Sequence, residues 1–169
     1  MSIEITITTC VCVCSTRRKT NINIVVKWTY RSGEIEVSFP LKFKAFCKGS
    51  KMVKYFFSIG EVLVNGIPGS PEDGLIGVIT SFIKDINKTL AVMWFLPSSD
   101  QEKFGNFWNI YLYNGYRTPN NAMLLRLFHS KPIAAGEKLE NKTLNDSNLK
   151  FDGSMSKSDQ ATLMIKVHE

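Results

Sequence analysis

Histidine is scarce in this chain: His129 and the penultimate His168 are the whole supply. With one internal imidazole there is little to build a nucleophile–base pair or a metal centre from. The sequence also lacks HExxH, GxSxG, paired-cysteine zinc spacing and the phosphate-cradling GxxxxGK[ST]. No enzyme activity, catalytic residue, metal or cofactor is therefore expected. No apolar run approaches the ~18–20 residues of a membrane-spanning helix. No basic segment followed by an apolar one opens the chain, so no secretory leader is expected either. Disorder is excluded by composition, since 44% of residues are hydrophobic and only 21% charged. A chain of 169 residues buries roughly two-thirds of its unfolded surface, so it needs no disulfide to fold.

What remains is charge of one sign in one place. The net charge is +6. Residues 1–54 hold ten basic residues against three acids, or +7, while residues 55–130 come to −1 and residues 131–169 to zero. Segregated positive charge points to a polyanionic partner, either nucleic acid or an anionic membrane surface. The residues expected to meet it are Lys42, Lys44, Lys48, Lys51 and Lys54, with Arg17, Arg18 and Lys19 as a second patch. The plainer reading is a solvated sheet edge dressed with lysine against aggregation.

The hydrophobic pattern is mostly that of strands. Ile3, Ile5 and Ile7 alternate, the pattern slips near Thr8 and Thr9, and NINIVVKWTY (21–30) and EIEVSF (34–39) flank a short glycine turn as a hairpin. Pro40 is expected to close that strand, and Met52–Val64 to form another region broken at Gly60. LAVMWFL (90–96) suits a buried central strand, and FWNIYLY (107–113) a further one. AMLLRLFH (122–129) fits a strand or a short helix equally. The clearest helical signal is at 71–87: Ser70 as cap, Pro71 at the first position, Glu72 and Asp73 in the first turn, then Leu75, Ile76, Ile79, Phe82, Ile83 and Ile86 as a stripe. The expected fold is thus α+β, an antiparallel sheet or sandwich of six to eight strands with one clear helix and short additional ones. Residues 1–135 are expected as a single compact domain. The Lys/Asn/Ser-rich 136–160 reads as a flexible segment, and 161–167 as a closing strand.

Three further features carry chemistry. Cys10, Cys12 and Cys14 share a strand face, but with no fourth ligand near they read as small buried apolar residues, a soft-metal site or an acylated thiol being the alternatives. Trp28, Tyr30, Phe39, Phe43 and Phe46 alternate with Lys27, Arg31, Lys42 and Lys44, a pattern seen where single strands stack on protein, though more often a sheet core. Ile67 and Trp108 stand in apolar loop candidates suited to self-association or membrane contact. A cationic sheet face with apolar loop tips makes a plausible peripheral membrane design.

The length, the cationic first third from Arg17 to Lys54 and the sheet–helix–sheet order through Pro71–Ile86 and Leu90–Tyr113 together resemble matrix proteins of non-segmented negative-strand RNA viruses, those of plant-infecting rhabdoviruses most nearly. The likeness is global over about residues 20–130, and no motif carries a functional residue across. It implies a non-enzymatic structural protein of the virion that oligomerises and bridges the viral nucleocapsid to an anionic membrane, with RNA as a further partner. Its expected location is between envelope and nucleocapsid, or at membranes in the host cytoplasm. A proline-rich budding motif is absent. The alternatives are a small viral RNA-binding protein, such as a silencing suppressor, and a cytosolic β-sandwich interaction module.

Overall fold

A computed structural model of the chain describes residues 2–14, 17–30, 33–44, 53–57, 60–66, 75–97, 105–145, 147–158 and 161–169. They form an α+β fold of two antiparallel sheets and one α-helix. The elements fall into two units, residues 1–46 with 135–169 and residues 47–134.

In the first unit β1 (Ser2–Cys14), β2 (Arg17–Tyr30) and β3 (Gly33–Lys44) form a long meander. β10 (Lys138–Thr143), β11 (Lys150–Met155) and β12 (Thr162–His168) complete a sheet of order β10-β11-β12-β1-β2-β3. Alternation divides its faces. Ile5 and Ile7 on β1 are buried opposite Ile165 and Leu163 on β12, while Met164 and Lys166 between them are exposed. Phe151 and Met155 add to the buried side from β11. The expected slip at Thr8 and Thr9 does not occur, because β1 pairs with β2 without a break from Ser2↔Thr29 to Cys14↔Arg17. Pro40 does not end its strand either. β3 is at the sheet edge, where a missing N–H costs no ladder bond.

Residues 136–160 contain two strands, contrary to the expected flexible segment. Composition misled here because β10 is a solvated edge strand, exposed except at Leu139. Leu144 and Leu149, both buried, anchor the β10–β11 turn, where the Leu144 N–H donates to the Leu149 carbonyl at 2.8 Å.

The second unit has β4 (Val53–Phe57), β5 (Gly60–Gly66), β6 (Leu75–Ile83), β7 (Lys88–Leu96), β8 (Phe107–Asn114) and β9 (Ile133–Ala134), paired in that order. The expected helix at 71–87 is replaced by β6 and a single 3₁₀ turn at Lys84–Ile86. Residues 75–83 are rich in β-branched side chains and Ile76, Val78, Ile79 and Ile83 are all buried, so apolar residues line both strand faces. An apolar run without alternation satisfies a helical stripe by chance. The cap signals at 70–74 lie outside the described residues. β7 is buried from Thr89 to Leu96.

The helix is α1 (Asn121–His129). Asn120 caps it, its side-chain oxygen accepting from the Met123 N–H at 2.9 Å. Met123, Leu124 and Leu127 pack with Ile76, Val78, Ala91, Met93, Phe95 and Phe107 of the sheet. The β8–α1 connection is held by Thr89, which is fully buried. Its hydroxyl donates to the Gly115 carbonyl at 2.7 Å and accepts from the Arg117 N–H at 2.9 Å. Thr89→Val keeps the shape and strands both backbone groups. A loss of about 2 kcal/mol is expected in urea denaturation.

Candidate functional site

The sequence-predicted cations lie in three places. Arg17, Arg18 and Lys19 are in β2, Lys42 and Lys44 in β3, and Lys54 in β4 of the other sheet. Lys48, Lys51 and Ile67 lie outside the described residues. The register joins the two patches read separately from sequence. Lys19 pairs with Lys44 and Asn21 with Lys42, so Arg17, Lys19, Lys42 and Lys44 occupy register positions of one face, with Arg18 on the other. Trp108 is not at a loop tip. It is inside β8 opposite Trp94, and both are fully buried.

Aromatic and cationic side chains meet where α1 packs against β8. Tyr111 and Tyr113 stand two residues apart on one face of β8, ring centroids 4.7 Å apart. The Arg126 guanidinium of α1 lies over both, 4.7 Å from the Tyr111 centroid and 5.5 Å from that of Tyr113. A cation over a π face is held by the ring quadrupole, at about 0.5–1 kcal/mol where water has access. Burial pushes the Tyr113 phenol above its ordinary pKa, and the Arg126 charge opposes that shift in part.

Two residues on, Phe128 closes an aromatic triangle with Phe95 and Phe107, at 5.4 Å from each, and meets His129 edge-on at 5.3 Å. Outside this packed layer α1 presents Leu125, 55% exposed, with Arg126 and His129. Tyr116, 62% exposed and edge-on to Phe82, stands beyond the end of β8. The arrangement is a short amphipathic helix with an aromatic underlayer and a cationic rim, chemistry that suits a water–lipid boundary. The sequence marks it only through Arg126, the single charge within AMLLRLFH. The strand-or-helix ambiguity of that segment kept Arg126 from being paired with Tyr111 and Tyr113.

In the first unit, Asp152 accepts from the Asn141 N–H at 2.8 Å. That bond, with His168 at 3.5 Å as a lesser influence, holds the carboxyl below its ordinary range. Any stability it contributes is present above the unfolded carboxyl pKa and fades as pH falls through the lower folded value.

Residues 7–169 match the family model described as sea anemone cytotoxic protein. The chain belongs to that family. It is 26% identical over 149 residues to DELTA-alicitoxin-Pse1b of Phyllodiscus semoni, covering 85% of this chain and 60% of that protein. It is 32% identical over 102 residues to DELTA-actitoxin-Afr1c of Actinia fragacea, covering 60% of this chain and 55% of that one. Bryoporin of Physcomitrium patens is 27% identical over 96 residues, 56% of this chain and 53% of its own. The chain thus spans little more than half the length of these relatives. Membership overturns the viral matrix resemblance, and with it the nucleocapsid and RNA partners, the virion location and the silencing-suppressor alternative. The resemblance rested on length, charge and element order, and the helix that supplied its middle element is a strand.

Proposed function

We propose that this chain is a non-enzymatic membrane-binding module of a cytolytic protein, which lodges on lipid bilayers through α1 and, with further copies, makes them leak. The observation that carries the reading is the match of residues 7–169 to a family described as cytotoxic. The names of the relatives, two toxins and a porin, support the same direction. The geometry supplies a means. A nine-residue helix is about 14 Å long, against the roughly 30 Å of a bilayer core, so α1 lies at the interface and does not cross. There Leu125 reaches the acyl boundary while the Arg126 guanidinium stays at headgroup level.

The test is release of an entrapped dye from vesicles of phosphatidylcholine, alone and with cholesterol or phosphatidylserine, alongside co-sedimentation. Binding and release are expected with at least one composition. Leu125→Ser removes an exposed apolar contact worth about 1.4 kcal/mol, so partitioning should fall about tenfold with the fold intact. Neither binding nor release across all three vesicle types would overturn the proposal.

A further inference from the structure

Charge in the second unit is one-sided over a stretch that the near-neutral total for residues 55–130 hides. Residues 103–136 contain no aspartate or glutamate, yet they hold Lys103, Arg117, Arg126 and Lys131, with His129. The stretch supplies β8, α1 and β9. Three of its basic side chains gather at one end of α1. Arg126 and His129 are in the last turn, Lys131 follows the capping Ser130, and all three are exposed.

One use for cations at this end is to balance the helix dipole. The bonding shows another arrangement. The last carbonyls already have donors: the Ser130 N–H at 3.1 Å and hydroxyl at 2.7 Å serve that of Arg126, and the Asn109 amide serves that of Leu127. The Arg126 guanidinium is not among those donors. It lies over the rings of Tyr111 and Tyr113, and it makes no hydrogen bond or ion pair with any of the described residues. It is a planar, permanently charged fork, held by ring faces with its N–H donors uncommitted to any described acceptor.

Such a fork matches two oxygens of a phosphate. The same geometry argues against a cationic headgroup. Aromatic faces can hold a quaternary ammonium, but here the cation over the rings is the protein's own. A second cation there would meet Arg126, and the stretch has no carboxylate to offset the repulsion.

We propose that Arg126, with His129 three residues on and Lys131 beyond it, is an anion-selective site for the phosphate of a lipid headgroup that carries no compensating cation. Phosphatidic acid is the simplest such lipid. The proposal rests on the reading of α1 as the face that meets lipid, and adds which lipids that face prefers. Leu125 and Arg126 are both exposed on α1, so an apolar contact and a phosphate contact can be made by one short helix at one depth.

The experiment is co-sedimentation of the full chain with two kinds of vesicle, phosphatidylcholine alone and phosphatidylcholine with about one-fifth phosphatidic acid. Salt is kept at ~0.1 M, so that distant charges are screened. The parent chain should partition about tenfold better onto the second kind. Part of that ratio comes from the net charge of the whole chain, so it is compared with that of Arg117→Gln. Arg117 is also exposed, but its Nε donates to the Asn114 carbonyl at 3.3 Å. Arg117→Gln should change the ratio by no more than about twofold, while Arg126→Gln should lower it about fivefold. Arg126→Lys, which keeps the charge and loses the fork, should lower it about threefold. Circular dichroism checks the folding of each variant, and the Lys variant decides the matter if the Gln variant does not fold. Inorganic phosphate equal in concentration to the phosphatidic acid, matched by chloride in its control, should displace little protein. Full displacement would assign the site to free phosphate and overturn the lipid assignment. Equal partitioning of the parent onto both vesicles, or equal losses in Arg117→Gln and Arg126→Gln, would overturn the proposal and leave membrane binding standing. Absence of binding to either vesicle would overturn both.

Discussion

Gly77→Ala is expected to destabilise the protein by about 3 kcal/mol, at the upper end of the penalties for overpacking. Gly77 pairs with Trp94 across β6 and β7, and Trp94 pairs with Trp108 on β8. A Cβ at residue 77 would stand 2.2 Å from Cζ2 of Trp94 and 2.6 and 2.7 Å from two further ring atoms. Trp94 is fully buried, so its ring cannot swing aside into solvent. The measurement is urea denaturation followed by circular dichroism, run on a double-mutant cycle with Trp94→Leu. Trp94→Leu is costly by itself, because it removes a large buried ring. In that background, however, Gly77→Ala should cost at least about 1.5 kcal/mol less, since the clash is gone. Equal costs in both backgrounds would show that the ring is not what excludes a side chain at 77.

The same glycine explains why the fold was only partly legible. Gly77, inside the supposed helix at 71–87, proves to be the strand position that accommodates a tryptophan. Nothing in a single sequence pairs residue 77 with residue 94, because the pairing is set by the register of the sheet. Strands with alternating patterns, such as 21–30, and strands with short continuous runs, such as 90–96, were readable. β6 was not, because both of its faces are buried and it then obeys the period of a helix as well as that of a strand. β10 failed in the opposite way, its exposure leaving almost no apolar signal.

The candidate site was legible as composition and illegible as geometry. The cations of the first third were counted correctly, yet only the ladder shows that Lys19 and Lys44 are opposite one another while Lys54 belongs to another sheet. Trp108 looked like a loop anchor because Phe104-Gly-Asn precedes it, and it is a core residue. The exposed residue proposed to meet lipid is Leu125, which looked like core because every apolar neighbour in AMLLRLFH resembles it. No short motif in this sequence pointed to the family. Charge and element order then admitted an unrelated class of membrane-associated protein.

Asn109→Asp should cost about 3 kcal/mol or more near pH 7 and much less near pH 4. Asn109 is buried in β8, and its amide N–H donates to the Leu127 carbonyl at 2.8 Å. That carbonyl is in the last turn of α1, where no intrahelical donor remains, because Ser130 has already left the helix in an extended conformation. The side chain of a strand thus caps the end of the helix that carries Leu125 and Arg126. An ionised aspartate offers no donor, sets a buried charge against a carbonyl oxygen, and loses its hydration. Its protonated form has an O–H that restores the bond. Both effects raise the folded-state pKa of residue 109 above the ~3.9 of an unfolded aspartate. The stabilising contribution of the neutral acid is complete below that unfolded value. It is lost as pH rises through the folded pKa, by up to about 1.4 kcal/mol per pH unit. The check is the stability difference between the variant and the parent protein at pH 4 and pH 7. A difference independent of pH would mean that residue 109 does not hold the helix through this bond. Where the difference is large, α1 should loosen from β8, and vesicle binding should fall at pH 7 and recover on acidification if α1 is the surface that meets lipid.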